Sequence, residues 1–234
     1  MSVMGLFFIC VFSVAITYLW REGILEASWL QEGEIAAYRG KDGRRPNAAK
    51  TGLVVFLAVA LCLFSLLAAA FFMRMGSYDW LSAPLPRILW FNTVALIAAS
   101  GALHVASTAA TTGARERMRN ALWAGAVASL AFLSGQLWAW RDMIAGGFYA
   151  SQNPANAFFF LLTGAHALHL MGGLFALFWT IAQASRKEAE NALAKTVELC
   201  AIYWHFLLAV WLLVFALLVG WADNLGVVCR RLLS

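Results

Sequence analysis

Charged residues are scarce in this sequence. Asp, Glu, Lys and Arg make up 12% of its 234 residues, whereas hydrophobic residues make up 62%. Soluble domains carry roughly twice that share of charge, so the composition excludes a water-soluble globule. Seventeen Lys and Arg against twelve Asp and Glu give a net charge of +5. That excess requires no nucleic-acid partner, because the cytoplasmic loops of membrane proteins are rich in Lys and Arg.

The sequence also lacks the local patterns of a catalytic or metal site. The four cysteines stand far apart without a C-x-x-C or C-x-x-x-C pair, so no cysteine-held zinc or copper site is predicted; they are Cys10, Cys62, Cys200 and Cys229. There is no Gly-rich phosphate loop, no nucleophile elbow and no carboxylate pair inside an apolar segment. Local catalytic machinery is therefore not recognisable in the sequence.

Six segments are long and apolar enough to cross a bilayer, which takes about 20 residues. They are residues 3–20, 51–73, 88–112, 121–140, 156–184 and 199–221. We predict an all-α, polytopic membrane protein with six transmembrane helices. Its first helix and a polar connection occupy residues 1–50, and a five-helix bundle occupies residues 51–234. With these bounds every charged residue lies outside the spans, which argues against a proton-relay core.

The basic residues predict how the chain is oriented. Connections 21–50, 113–120 and 185–198 hold 12 of the 17 Lys and Arg residues, so the positive-inside rule places them in the cytoplasm. Both termini are then periplasmic, and we expect the inner membrane of a bacterium, since no Arg-rich transit segment is recognisable. The tryptophans at segment ends are typical of an interfacial belt; they are Trp20, Trp80, Trp90, Trp140 and Trp221.

The histidines all lie within apolar segments, at positions 104, 166, 169 and 205. His166 and His169 share a helix face with Thr163 and Gly173, so this polar stripe is predicted to face the interior of a bundle. Two roles fit the stripe. One is axial ligation of haem b, for which His104 with His166 or His169 is the only plausible set. The other is hydrogen bonding to neighbouring helices or to lipid headgroups. His205 follows the predicted start of its segment closely, which places it near the cytoplasmic interface.

Small residues recur every fourth position in the fourth segment, at Ala121, Gly125 and Ser129. This spacing lets helix backbones approach each other closely. Packing within the chain and a dedicated subunit interface both fit it.

Three stretches form a specific combination in order and spacing. They are Leu89-Trp90-Phe91-Asn92-Thr93 with Ser100-Gly101 and His104; NPANAFFFLLTGAHALHLMGG from Asn153 to Gly173; and Tyr203-Trp204-His205-Phe206 followed by Trp211. Gly135-Gln136 ahead of Trp140 is a weaker fourth match. Together they resemble subunit III of the haem-copper terminal oxidases, most closely that of cytochrome c oxidase. The resemblance covers about residues 52–221 and implies that the last five segments correspond to family helices three to seven.

The resemblance implies a non-catalytic subunit that binds no metal itself and supports a proton-pumping respiratory complex that oxidises cytochrome c. Haem and copper are then expected in partner subunits, with subunit I in direct contact and subunit II and others in the same complex. Bound phospholipid is expected as well. The residues implied in helix, lipid or subunit contacts are Asn92, Thr93, His104, Gln136, Thr163, His166, His169, Gly173, Tyr203, Trp204, His205 and Trp211.

Other assignments fit the same residues. A subunit III-like component of a quinol oxidase or of a nitric oxide reductase would have the same fold with another partner. A haem b membrane anchor for quinol electron transfer belongs to a different class and requires facing histidines at one depth.

Three acids of the family pattern are missing from this chain. The G-x-W-x-F-x-A-S-E pattern ends here in Ala60, Gln-x-x-Glu ends in Ala139, and W-H-F-x-D ends in Leu208. We therefore do not transfer to this chain any role of those acids in proton uptake or in an oxygen route.

Overall fold

The computed structural model describes residues 48–75, 78–81, 85–185 and 190–219. Within these ranges the chain is helical and contains no strand; its helices are α1 (Ala48–Met75), α2 (Ile88–Thr111), α3 (Arg115–Ala145), α4 (Pro154–Ser185) and α5 (Glu190–Leu218). All five are long and apolar enough to cross a membrane, as predicted. The predicted first span, residues 3–20, lies outside the described residues. That span and the domain boundary after residue 50 stay predictions.

Several helices extend further than the charge-free segments suggested. α3 begins at Arg115 and continues to Ala145, and α5 begins at Glu190. The prediction that every charge falls in a connection is therefore wrong. The charged residues inside the helices are Lys50 and Arg74 in α1; Arg115, Glu116, Arg117, Arg119, Arg141 and Asp142 in α3; and Glu190, Lys195 and Glu198 in α5. They lie towards the helix ends, where charged side chains reach the headgroup layer while the backbone continues its helix.

The helices α2 to α5 form a bundle. Contacts divide the chain into two units between Ser65 and Leu66, and this bundle lies in the second. α2 packs against α3 and α5, and α4 packs against the same two helices. Lipid tails are as apolar as the core, so burial of apolar side chains alone does not hold such helices together. Close packing and polar contacts between helices do.

A short turn makes α2 and α3 antiparallel neighbours. Gly113 adopts a φ of 73°, a left-handed conformation that glycine takes without strain. The Ala114 N–H donates to the Ala109 carbonyl at 3.0 Å, which closes the last turn of α2 in the manner of a glycine C-cap.

Asn153 fixes the start of α4. Its carboxamide oxygen accepts a hydrogen bond from the Ala155 N–H at 3.1 Å, and Pro154 occupies the first helical position, where a missing N–H costs nothing. The same carboxamide bonds the backbone of Leu81, accepting from its N–H at 3.4 Å and donating to its carbonyl. The Asn-Pro pair therefore anchors the connection between α1 and α2 to α4.

Candidate functional site

The polar stripe of α4 faces the bundle interior. Thr163, His166 and Gly173 are buried and His169 is half-buried, whereas Leu168, on the opposite face, is 64% exposed. This orientation agrees with the one predicted from the spacing of the stripe.

One contact recurs three times between neighbouring helices: an indole N–H donates to a hydroxyl. The pairs are Trp211 of α5 with Thr93 of α2, Trp204 of α5 with Ser129 of α3, and Trp140 of α3 with Thr163 of α4, each at 3.0 Å. Each hydroxyl donates its own proton to a carbonyl one turn back, at 2.9, 2.7 and 2.6 Å respectively. Since a hydroxyl has a single proton, all three are committed to helix contacts.

Gly173 allows α4 and α5 to approach closely. A Cβ atom at this position would lie 2.5 Å from Cε1 of Tyr203 and 3.0 Å from Cη2 of Trp204. The Tyr203 hydroxyl donates to the His169 carbonyl at 2.8 Å. Tyr203 and Trp204 thus pack against the polar stripe.

A carboxamide pair joins α2 to α3. Asn92 Nδ2 donates to Gln136 Oε1 at 3.2 Å, and both side chains are buried. Gly135 makes room for this pair, because a Cβ atom there would overlap Asn92 Oδ1. Sequence reasoning singled out Asn92 and Gln136 without indicating that they bond each other.

His166 is enclosed by aromatic side chains. It has no exposed surface, and its ring centroid lies 5.6 Å from that of Phe132 and 5.2 Å from that of Trp211. Axial ligation needs open space for a porphyrin at a ring nitrogen, and both ring nitrogens of His166 are buried within the protein.

His104 lies beside a different histidine from the one predicted. Its ring centroid is 5.6 Å from that of His205, and both side chains are exposed on the outer surface of α2 and α5. His166 and His169 lie on α4, which packs against α3 and α5, whereas His104 lies on α2. Among the described residues, neither predicted haem-ligand set, His104 with His166 or His104 with His169, is therefore assembled. Among the residues that the structure describes, no group of three or more His, Cys, Asp or Glu is placed to hold a metal ion.

His205 lies near the middle of α5, Glu190–Leu218, which starts about two and a half turns earlier than residue 199. Its predicted position near the cytoplasmic interface stays a prediction. His205 Nδ1 is 2.5 Å from Oγ of Ser100, itself near the middle of α2.

The comparisons with known proteins agree with the resemblance. A family model described as cytochrome c oxidase subunit III matches residues 1–223. This chain belongs to the cytochrome c oxidase subunit III family. The family match starts at residue 1, so it extends further than the motifs, which covered about residues 52–221.

Curated members of the subunit III family are similar over most of their length. Cytochrome c oxidase subunit 3 of Thermostichus vulcanus is 29% identical over 178 residues, which cover 74% of this chain and 87% of that protein. Probable cytochrome c oxidase subunit 3 of Mycobacterium tuberculosis is 27% identical over 179 residues, covering 74% and 88%. Together with the five apolar helices, these matches identify a multi-pass membrane subunit of a haem-copper oxidase.

The small residues of α3 serve packing inside this subunit III bundle. Ala121, Gly125 and Ser129 are all buried, and a Cβ atom at Gly125 would lie 3.0 Å from Cγ of Leu103 in α2. Of the two roles open for this spacing, the structure favours packing within the chain.

Two of the missing family acids have apolar replacements in the bundle. Ala139 is fully buried in α3, and Leu208 is half-buried in α5. A carboxyl group at the position of Ala139 would lie within the protein and would need a hydrogen-bonding partner there.

Proposed function

We propose that this chain is the non-catalytic third subunit of a cytochrome c oxidase in a bacterial inner membrane, bound directly to subunit I. In this role it supports the stability of the complex and binds phospholipid. The observation that carries the proposal is how the polar residues of the family motifs are used. The hydroxyls of Thr93, Thr163 and Ser129 each accept a hydrogen bond from an indole of a neighbouring helix. These residues therefore join the helices of the bundle to one another.

Haem and copper belong, in this proposal, to partner subunits, with electrons entering from cytochrome c through subunit II. The burial of His166 supports this division of roles, because neither ring nitrogen faces an open space in which a porphyrin would fit. The same geometry makes a haem b anchor a poor second candidate.

The proposed orientation places the turn between α2 and α3 in the cytoplasm. Three arginines lie in the first turns of α3, at positions 115, 117 and 119, and basic residues concentrate on the cytoplasmic side. Because the chain crosses the membrane with each helix, α5 then ends on the periplasmic side, and with a first span at residues 3–20 the N-terminus is periplasmic as well.

Purification of the tagged protein from native membranes in mild detergent tests the proposal. We expect a haem- and copper-bearing subunit to copurify, and this chain to be colourless once separated from it. A b-type spectrum that stays with the isolated chain would contradict the proposal. If the chain copurified with a quinol oxidase or with a nitric oxide reductase, it would still be a subunit III-like protein, but its partner would differ from the one proposed.

A substitution at His166 tests the supporting role. We expect His166→Leu to lower the amount of this chain in the complex, because it disturbs the packing of Phe132 and Trp211. The reduced-minus-oxidised spectrum of the remaining complex should be unchanged. Leu168→Ala is the matched control, since Leu168 lies on the exposed face of the same helix.

A further inference from the structure

The carboxamide pair between α2 and α3 has two polar atoms beyond those of its direct bond. Asn92 Nδ2 donates to Gln136 Oε1 at 3.2 Å, which leaves Asn92 Oδ1 as an acceptor and Gln136 Nε2 as a donor. Among the residues that the structure describes, neither atom has a hydrogen-bond partner. The two side chains are 0% and 1% exposed, so neither bulk water nor a lipid headgroup reaches them from outside the bundle.

Buried polar atoms of this kind are costly, and nearly all of them are bonded to protein or to ordered water. The nearest hydroxyl along α2 cannot donate to Asn92 Oδ1. Thr93 has already donated its only proton to the Leu89 carbonyl at 2.9 Å, and its oxygen accepts the indole N–H of Trp211. The polar side chains beside the pair are therefore committed elsewhere.

The orientation of Asn92 prevents the two carboxamides from bonding each other twice. A Cβ atom at Gly135 would overlap Asn92 Oδ1, whereas it would lie 3.5 Å from Nδ2. Oδ1 is thus turned towards the backbone of α3 at Gly135, and only Nδ2 reaches Gln136. Exchanging nitrogen and oxygen in both carboxamides reverses the direct bond. One donor and one acceptor still remain, so the deficit does not depend on that assignment.

A single water molecule has the chemistry to satisfy both atoms. Water accepts from an N–H and donates to a carbonyl oxygen, and buried waters in proteins bond polar groups that otherwise have no partner. Gly135 precedes Gln136, and the fully buried Ala139 follows one turn later on the same face. α3 therefore places no bulky side chain beside the carboxamide at these two positions.

We propose that Asn92 and Gln136 bind one internal water molecule, which accepts from Gln136 Nε2 and donates to Asn92 Oδ1. The contact between α2 and α3 is then partly water-mediated, whereas the indole-to-hydroxyl contacts of the same bundle are direct. This inference depends on the bundle alone and not on which complex the chain joins.

A cryo-EM map at a resolution that shows ordered water tests the site on protein purified from native membranes. We expect a density peak at hydrogen-bond distance from both Asn92 Oδ1 and Gln136 Nε2. The contact between Trp204 and Ser129 is the control, because its direct bond of 3.0 Å leaves no place for a peak between its atoms. A map without a peak at the carboxamide pair, or with two direct bonds between the carboxamides, would overturn the proposal.

Solid-state NMR of the same protein, labelled with ¹⁵N and held in lipid bilayers, gives a second measurement. We expect magnetisation from water protons to reach the side-chain amide of Gln136, whose signal is assigned by its loss in Gln136→Met. The exposed side chain of Gln152 is the positive control. The buried indole N–H of Trp204 should receive none, since its partner is Ser129. A Gln136 amide as silent as this indole would show that the pair is dry and would refute the bound water.

Discussion

Removing the hydrogen bond between Trp204 and Ser129 would show how much one indole-to-hydroxyl contact stabilises the bundle. Both side chains are fully buried, and the bond is 3.0 Å long. Ser129→Ala leaves the indole N–H without its acceptor, which costs about 1–3 kcal/mol in a protein folded in water. Membrane proteins lose less, about 0.6 kcal/mol on average and at most about 1.7, because unfolded segments find other partners in the membrane. We expect Ser129→Ala to lower the free energy of unfolding by about 1 kcal/mol.

A double-mutant cycle separates this bond from simple packing. Reversible unfolding in mixed micelles, titrated with SDS and followed by far-UV circular dichroism, gives the free energy of unfolding of each variant. In a Trp204→Phe background no indole is left to lose its partner, so Ser129→Ala should cost close to nothing. Trp179→Phe is the control for the loss of an indole at an exposed site, since Trp179 is 61% exposed. If Ser129→Ala cost the same in both backgrounds, the contact would contribute nothing and the reasoning about all three indole bonds would be wrong.

Two further contacts give predictions with internal controls. Gly173→Ala should destabilise the bundle by about 1–3 kcal/mol, because its Cβ would overlap Tyr203; Gly172→Ala, with open space around it, should be neutral or slightly stabilising in the same unfolding assay. Gln136→Leu should cost more than the double variant Asn92→Leu with Gln136→Leu, since the single change leaves the Asn92 amide buried without its acceptor, whereas the double change removes both polar groups. A double variant that unfolded more readily than the single one would contradict the pairing.

The helices themselves could be predicted from hydropathy, because a bilayer imposes a minimum length on every span. The inward orientation of Thr163 and His166 likewise follows from helical spacing alone. The helix ends could not be predicted from charge. Lys195 and Glu198 lie within α5, because a helix can continue past the apolar segment into the headgroup layer.

The contacts between helices carry no local signal in the sequence. Trp140 has the position expected of an interfacial tryptophan, yet its indole is bonded to Thr163. Gly135 makes room for Asn92, and Ser100 bonds His205, so the role of each depends on a side chain of another helix. Which side chain lies opposite depends on which helices become neighbours and on how each helix is rotated about its axis. His104 was matched with the wrong histidine for the same reason.

Residues paired along α2 and α5 fix how these helices can move. Trp90 packs on Phe215, Trp211 donates to Thr93 and Ser100 meets His205, so the pairs run in opposite directions along two antiparallel helices. Sliding one helix by a single turn, about 5.4 Å, would separate all three pairs at once and offer each side chain an unsuitable neighbour. The two helices are therefore expected to move as one rigid pair, so that a force at one end tilts both helices together and does not slide one along the other.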